Sequence, residues 1–426
     1  MQKLPALRTR LAAVIAGLAL IGGLSSPVQA AQTAVTATSF WSSSKVHSIS
    51  VTFAKADFTK LLSTYKSTGT KSWMKAAVKL DGRTFTGVGM RLKGNSSLRS
   101  VTTSATAQSL PWLVRLNKYN KAQSLNGMTA FVIRSNVTAT SLNEAVALEL
   151  IGAAGLETQR AIATKLSVNG SKPTLRLVIE NPDDYWYGKT FADEGLLYKA
   201  DANGDYTYRG ESAAAYVDVF DQETSKKTEN LAPLTAFLKF VNQSSDSAFA
   251  DNLTKYLDVE KFAKYLAIQD LLDNFDDIEG PGNNSYLQYS NSTKRMTVVS
   301  WDQNLSFGQT PGPGGGAPGA GGPGAGGPGP GSPGGGFPGQ NPGAGNPPGG
   351  KGMTGNNVLA TRFKANSAFA KLVTDATTSL RAKLYSSGLA DKTLTRWTNV
   401  LKQQSGSTVT AAKINAEAAA IRKYFV

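Results

Sequence analysis

The chain has 426 residues, 41% of them hydrophobic and 18% charged, and 45 lysines and arginines against 30 acidic residues give a net charge of +15. This composition indicates a globular protein rather than a disordered or membrane-embedded one. Cysteine is absent and His47 is the one histidine. Disulfides, thiolate metal sites and histidine-rich zinc sites are therefore excluded, and a Ser/His catalytic pair is disfavoured. We interpret His47 as an ordinary strand-edge residue without a functional role.

The first 30 residues have the pattern of an export signal. Lys3, Arg8 and Arg10 precede an apolar run over 11–24, and small residues follow up to Ala30. The run is too short for a stable membrane span, so we predict a signal peptide at 1–30 and a secreted or cell-surface protein. The positive charge favours anionic neighbours such as a cell-wall polymer, but solubility explains it equally well. No lysine-rich block with interleaved aromatic residues is present, and we predict no nucleic-acid binding.

Residues 311–350 differ sharply from the rest, because 20 of these 40 residues are glycine and 11 are proline. Such a segment cannot build a hydrophobic core, and its glycines do not recur at every third position as in collagen. It predicts a disordered, flexible insertion. We therefore divide the mature chain into a core at 31–310, the insertion at 311–350, and a helical C-terminal part at 351–426.

Turn residues predict two hairpins in the N-terminal half, since Asp-Gly and Asn-Gly pairs connect strand-like segments. The predicted strands are Ala76–Leu80 with Arg83–Arg91, and Ala163–Val168 with Thr174–Glu180.

Cap residues predict where several helices begin. Ser141 and Glu144 have the spacing of a capping box before an apolar run, and Asp258 can cap a second helix. Further helical patterns follow the insertion, at Ala368–Leu384, Thr395–Gln403 and Ala411–Phe425. Hairpins followed by helices predict an α+β fold.

Carboxylates and amides are concentrated around a third predicted hairpin, whose strands are Tyr286–Ser290 and Met296–Trp301. If its loop is centred near residues 292–293, Asp302 falls opposite Asn283 or Asn284. Asp276 leaves the preceding helix and is close enough in sequence to reach the same end of the hairpin.

Oxygen ligands of this kind suit Mg²⁺ or Mn²⁺, usually together with phosphate oxygens and water. A second carboxylate near the metal can orient or deprotonate an attacking hydroxyl. Other interpretations stay open at this point. These residues can simply cap a helix end and serve turns. A calcium loop over Asp276–Asn284 and a glycosidase pair of Asp276 and Asp302 are further alternatives.

Several motifs, in this order, resemble the CotH kinase family, an atypical protein-kinase-like group named for a spore-coat protein. The motifs that carry the resemblance are Arg91–Ser97, Pro111–Tyr119, Ser141–Glu144, Val178–Glu180, Leu197–Lys199, Asn274–Asp276, Asn284–Tyr289 and Trp301–Gly308. The resemblance implies a kinase-like fold and phosphoryl transfer from ATP with Mg²⁺ to Ser or Thr hydroxyls of coat or surface proteins.

The same resemblance implies roles for individual residues. Asp276 matches the catalytic acid, and Asp302 matches a metal-binding aspartate. Asn284 is a candidate second metal ligand. Asn304 stands where some members have a further aspartate, so it offers an oxygen without the charge.

The resemblance also implies a set of nucleotide-binding residues. Arg115 stands where we expect the strand lysine that contacts phosphates, with Glu144 as the acid that braces it. Lys93 lies in a loop that could cover the phosphates, and Glu180 and Lys199 complete the predicted set. Because ATP is scarce outside cells, a non-catalytic module that binds a surface or wall polymer is the alternative function.

Overall fold

The computed structural model of the chain describes residues 35–99, 101–201, 204–280, 284–310 and 357–426. The predicted signal peptide and the Gly/Pro insertion lie outside the described residues. From Val35 onward the residues belong to one unit that mixes helices and strands, which confirms the α+β prediction.

Strands predominate in the first half of the described chain and helices in the second. The strands are β1 (His47–Thr52), β2 (Met74–Leu80), β3 (Arg83–Leu92), β4 (Trp112–Arg115), β5 (Ala130–Ile133), β6 (Ala161–Val168), β7 (Thr174–Glu180), β8 (Gly195–Ala200), β9 (Phe220–Gln222), β10 (Ser285–Ser290) and β11 (Met296–Ser300). The helices are α1 (Ala37–Phe40), α2 (Lys55–Thr68), α3 (Leu142–Ala153), α4 (Asp184–Thr190), α5 (Ala232–Gln243), α6 (Asp246–Tyr256), α7 (Val259–Leu271), α8 (Val358–Ala365), α9 (Ser367–Arg381), α10 (Leu389–Gln404) and α11 (Ala411–Arg422).

Strands β1 to β7 close into a barrel in the order β1-β2-β3-β4-β5-β7-β6. The closing pair, β1 and β6, is parallel, and the other neighbours are antiparallel. Both predicted hairpins are confirmed as β2–β3 and β6–β7. Their turns need positive φ angles, which Asp81 and Gly82 adopt in the first and Asn169 and Gly170 in the second.

The barrel has an apolar interior and one outer face that is also buried. Side chains alternate along a strand, so in β4 Val114 belongs to the interior cluster and Leu113 packs with the helical half of the molecule. Arg115 lies two residues after Leu113 and therefore shares its face of β4. The outer face of β3, β4 and β5 therefore brings cations toward the second sheet.

That second sheet has the order β11-β10-β8-β9 and is antiparallel throughout. Helix α7 packs against both β11 and α9. Asp258 caps α7 as predicted, because its carboxylate accepts a hydrogen bond from the main-chain N–H of Lys261 at 3.1 Å. The C-terminal helices are confirmed as α9, α10 and α11, with a π-helical turn at Ala382–Ser386 after α9.

The capping box predicted at the start of α3 is wrong, although the helix itself is confirmed. Ser141 precedes the helix with φ of 53° and makes no side-chain cap. Glu144 turns inward to an arginine instead of back to the N-terminus. The Thr140 hydroxyl accepts the main-chain N–H of Leu142 at 3.2 Å instead, so the helix is capped one residue earlier than predicted.

Candidate functional site

Asp276 and Asn284 meet between the end of α7 and the start of β10. The side-chain amide of Asn284 donates to the Asp276 carboxylate at 2.8 Å and to the Asp276 main-chain oxygen at 2.7 Å. One amide thus fixes both the backbone and the side chain of the loop that follows α7.

Asp302 reaches the same end of the hairpin through the register of β10 and β11. Ser285 pairs with Ser300, and one step further the main-chain N–H of Trp301 donates to the Asn284 oxygen at 3.2 Å. The register predicted from the sequence is confirmed, while Asn283 lies outside the described residues. Asp302 adopts φ of 57°, a left-handed conformation that ends the strand.

The two aspartates are close enough to influence each other. Burial raises the pKa of Asp276 to about 6, and the negative charge of Asp302 adds to this rise. The hydrogen bond from Asn284 opposes it. A cation or a proton bound between two carboxylates relieves their repulsion, so this pair favours binding either one.

Buried side-chain amides hold the loop that contains Asp276. Asn274 is fully buried and its Nδ2 donates to Gln269 Oε1 at 2.8 Å. Gln269 Nε2 in turn donates to Ser300 Oγ at 2.9 Å. The network ties α7, the Asp276 loop and β11 together, so the positions of the two aspartates are coupled.

Arg134, which directly follows β5, is the cation closest to Asp302. Its Nη2 donates to the Asp302 carboxylate, and its Nε donates to the Glu144 carboxylate at 3.0 Å. Burial raises the pKa of Glu144 to about 7, and Arg134 opposes this rise. The bracing pair predicted between Arg115 and Glu144 is not formed. Glu144 pairs with Arg134 because α3 lies over the end of β5.

Lys93 approaches the same site from the end of β3. Its Nζ lies 5.2 Å from the ring centroid of Trp301, the residue before Asp302. Burial lowers the pKa of Lys93 to about 8, and repulsion from Lys199, Arg91 and Arg134 acts in the same direction. A buried cation surrounded by other cations favours an anionic ligand.

Arg115 and Tyr286 carry buried polar atoms that lack a hydrogen-bond partner among the described residues. These atoms are Arg115 Nε and the Tyr286 hydroxyl. Burial raises the pKa of Tyr286, and the charges of Glu223, Asp201 and Asp302 raise it further. The Tyr286 ring lies against that of Trp301, the residue before Asp302, with 5.4 Å between the ring centroids. Unpartnered buried polar atoms cost stability unless a ligand pairs with them.

Three other predicted site residues are engaged locally. Glu180 forms an ion pair with Arg160, with Nη2 at 2.6 Å from the carboxylate. Lys199 forms an ion pair with Asp201. The main-chain oxygen of Asn304 accepts a hydrogen bond from the Asn143 side chain. The structure thus brings Asp276, Asn284 and Asp302 together and leaves the roles of the other residues as predictions.

The donors around Asp302 fit a hard cation. Asp302, Asp276 and Asn284 offer only oxygen ligands, and the Asp302 side chain is 27% exposed, so solvent and ligands can reach it. Within the described ranges no group of three or more acidic or histidine side chains suits a metal ion. Mg²⁺ can be bound through one or two carboxylates when phosphate oxygens and water complete the coordination.

Residues 90–424 match the protein family described as CotH kinase protein. The match covers most of the chain. This protein belongs to the CotH family. It is also similar to the inner spore coat protein H of Bacillus subtilis (strain 168), with 23% identity over 168 residues, or 38% of this chain and 46% of that protein. The chain thus matches about half the length of this curated relative.

The family match confirms the resemblance, and the geometry adds a residue that sequence reasoning missed. Arg134 directly follows β5, an apolar and buried strand. A charged residue at such a position is a signal for a paired or functional group, and it could have been found on that ground. In the described part of the chain, no helix has the length and apolar character needed to cross a membrane.

Proposed function

We propose that this CotH-family protein transfers a phosphoryl group from ATP to Ser or Thr hydroxyls of coat or surface proteins. One observation carries the proposal: Asp276, Asn284 and Asp302 converge at one end of the β10–β11 hairpin, beside buried cations of the barrel. This combination of oxygen ligands with cations is what a metal-bound triphosphate requires. We further propose that the barrel and the helical half act as the two lobes of a kinase-like fold.

Each residue has a chemical role in this proposal. Asp302 and Asn284 would hold Mg²⁺ or Mn²⁺, which when bound neutralises phosphate charge and polarises the transferred group. Asn304 is a further candidate ligand through its side-chain oxygen. Asp276 accepts or aligns the hydroxyl proton of the acceptor, and its raised pKa makes it a better base than an ordinary aspartate.

The cations of the barrel bind the phosphates. Arg134, held by Glu144, replaces the expected pair of Arg115 and Glu144 as the braced cation next to the metal ligand. Lys93 and Arg115 supply further positive charge from β3 and β4. Glu180 and Lys199 remain candidates for the edge of the nucleotide site.

The name of the relative supports the proposed acceptor and location. The Bacillus subtilis protein is named as an inner spore coat protein, and we propose that this chain likewise acts on or within a coat or surface layer. Export through the predicted signal peptide at 1–30 is part of the same proposal.

The direct test is transfer of radiolabelled phosphate from ATP to a panel of secreted proteins from the same cell. Wild type should label at least one of them, and Asp276→Asn should abolish labelling. Asp375→Asn is the matched control, because Asp375 forms only an exposed ion pair with Lys371 on α9. Equal labelling by wild type and Asp276→Asn would rule out the proposed role of Asp276.

The alternative function is a surface module that binds a wall polymer without catalysis. The Arg134–Asp302 ion pair favours this alternative, because it already neutralises the proposed metal ligand. ATP with Mg²⁺ should raise the melting temperature if the site binds nucleotide. Polymer binding that survives Asp302→Ala, without any response to nucleotide, would favour the module.

A further inference from the structure

Residues in the first turn of α3 contact residues of the proposed site. Asn143 donates to the main-chain oxygen of Asn304, in the turn that follows Asp302. Glu144 binds Arg134, which binds Asp302. The first turn of one helix therefore holds both the loop after the metal ligand and the cation beside it.

The residue directly before this first turn does not cap it. Ser141 contributes no capping side chain and sits at a positive φ, a conformation that costs energy for a residue with a side chain. A buried helix N-terminus needs other acceptors for its N–H groups. The Thr140 hydroxyl accepts the N–H of Leu142, and an acceptor on α11 holds the N–H groups of Ala139 and Thr140.

Glu417, on α11, is that acceptor. Its carboxylate accepts the main-chain N–H of Ala139 at 2.9 Å and that of Thr140 at 3.0 Å, and also the Thr140 hydroxyl. Thr140 Oγ1 in turn accepts the N–H of Leu142, the first residue of α3, at 3.2 Å. The Glu417 side chain is 13% exposed, so this negative charge at the start of α3 is largely shielded from water.

We propose that Glu417 is a positioning residue for the site, acting through the start of α3 on Glu144, Arg134 and Asp302. The inference deepens the proposed function and rests on it for its kinetic consequences. Its structural part, the ordering of Arg134 by Glu417, is independent of whether phosphate is transferred. The C-terminal helix is thereby coupled to the site without touching a ligand.

The test uses the full chain with Glu417→Gln. In the ligand-free protein, exchange of the Arg134 Nε–H, followed by NMR and assigned by its loss in Arg134→Lys, should become about tenfold faster. Arg422→Ala is the matched control, because it removes an exposed ion pair between α11 and Asp391 of α10 without touching α3. In that variant the exchange rate should stay within about twofold of wild type.

Kinetics supply the second measurement. If wild type transfers phosphate, Glu417→Gln should lower kcat about tenfold and leave KM for ATP nearly unchanged, because the reacting groups are displaced while the phosphate-binding cations remain. If wild type transfers none, the proposed function fails, and the exchange rate of Arg134 still decides the role of Glu417.

A second variant tests the proposal independently in case Glu417→Gln does not fold. Thr140→Val removes only the hydroxyl that links Glu417 to Leu142, and it should accelerate the Arg134 exchange in the same direction. Unchanged Arg134 exchange in either folded variant, or equal acceleration in Arg422→Ala, would overturn the proposal.

Discussion

Two charge clusters in this protein differ in whether their polar atoms have hydrogen-bond partners. At the β2–β3 turn, Asp81 accepts from His47 Nδ1 at 2.6 Å, from Lys45 at 3.0 Å and from the main-chain N–H of Ser48 at 2.8 Å. The other His47 nitrogen lies 2.8 Å from the main-chain oxygen of Ser42. Each of these polar atoms has a partner, as expected of a cluster that serves the fold.

The cluster between the barrel and the second sheet is different. Among the described residues, four polar atoms buried there or directly beneath it lack a hydrogen-bond partner: Arg91 Nε, Arg115 Nε, the Tyr286 hydroxyl and Asn274 Oδ1. Asp276 and Asp302 also repel each other across the same region. A folded protein tolerates such costs where a ligand supplies the missing partners. We therefore interpret the cluster around Asp81 as structural and propose that the cluster around Asp302 is functional.

The largest expected effect tests the functional cluster. Asp302→Asn should reduce phosphoryl transfer about 1000-fold or more, because it removes the charged metal ligand. It should also abolish the rise in melting temperature with ATP and Mg²⁺. The unfolding free energy of the ligand-free protein should change by only about 1 kcal/mol or less, since the ion pair lost is partly exposed. Retained transfer would contradict the assignment of Asp302.

The structural cluster should respond in the opposite way. Asp81→Asn should lower the unfolding free energy by about 2 kcal/mol, because it leaves His47 and the Ser48 N–H poorly paired. Phosphoryl transfer at a temperature where the variant is folded should equal that of wild type. Urea unfolding and the transfer assay check the two statements, and a variant as stable as wild type would remove the distinction between the clusters.

Asp81 also predicts a pH dependence. Hydrogen bonds from His47, Ser48 and Lys45 outweigh the effect of burial and hold the pKa of Asp81 well below its usual range. The unfolded chain therefore binds a proton more readily, and the stabilisation is present at neutral pH and is lost as the pH falls below about 4. Unfolding free energies of wild type should decline more steeply over that range than those of Asp81→Asn.

The fourth prediction concerns nucleotide affinity and Lys93. Because burial lowers the pKa of Lys93 to about 8, the free protein loses this charge as the pH rises past that value. Binding of ATP with Mg²⁺ should therefore weaken up to about tenfold between pH 7 and pH 9. Lys93→Arg keeps its charge and should show a flatter profile by calorimetry. Identical profiles would exclude Lys93 from phosphate binding.

The smallest expected effect is on the unfolding free energy, in variants of two buried tyrosines. The Tyr286 hydroxyl has no partner among the described residues, whereas the Tyr206 hydroxyl lies 2.8 Å from Ser285 Oγ. Tyr286→Phe should raise the unfolding free energy of the ligand-free protein by about 1 kcal/mol, and Tyr206→Phe should lower it by a similar amount. Thermal unfolding of both variants checks this. Equal destabilisation would show that the Tyr286 hydroxyl is not a cost to the fold.

Local patterns predicted the elements well where the physical signal was itself local. The Asp81-Gly82 turn and the Asn169-Gly170 turn specified two hairpins, because those residues adopt positive φ at low cost. The helix cap at Asp258 was likewise predicted from the sequence and is confirmed. The capping box predicted at Ser141 was wrong, because the spacing of Ser141 and Glu144 does not show whether the start of the helix is exposed or buried under another helix.

The same limit applies to the site. The register that brings Asn284 next to Trp301, the residue before Asp302, could be predicted because a hairpin register depends only on the loop between its strands. The partner of Glu144 could not be predicted, since Arg115 ends β4 and Arg134 directly follows β5, and the sequence does not distinguish between them.

The amino-acid sequence by itself determined the absence of cysteine chemistry, the α+β class, the family and the hairpin register that brings Asn284 next to Trp301. Only the tertiary structure decided that Arg134 binds Glu144 and that Glu417 holds the segment before α3. The reason is that hairpins and helices follow from neighbouring residues. By contrast, closure of the barrel and the packing of distant helices decide which charged side chains share one buried volume.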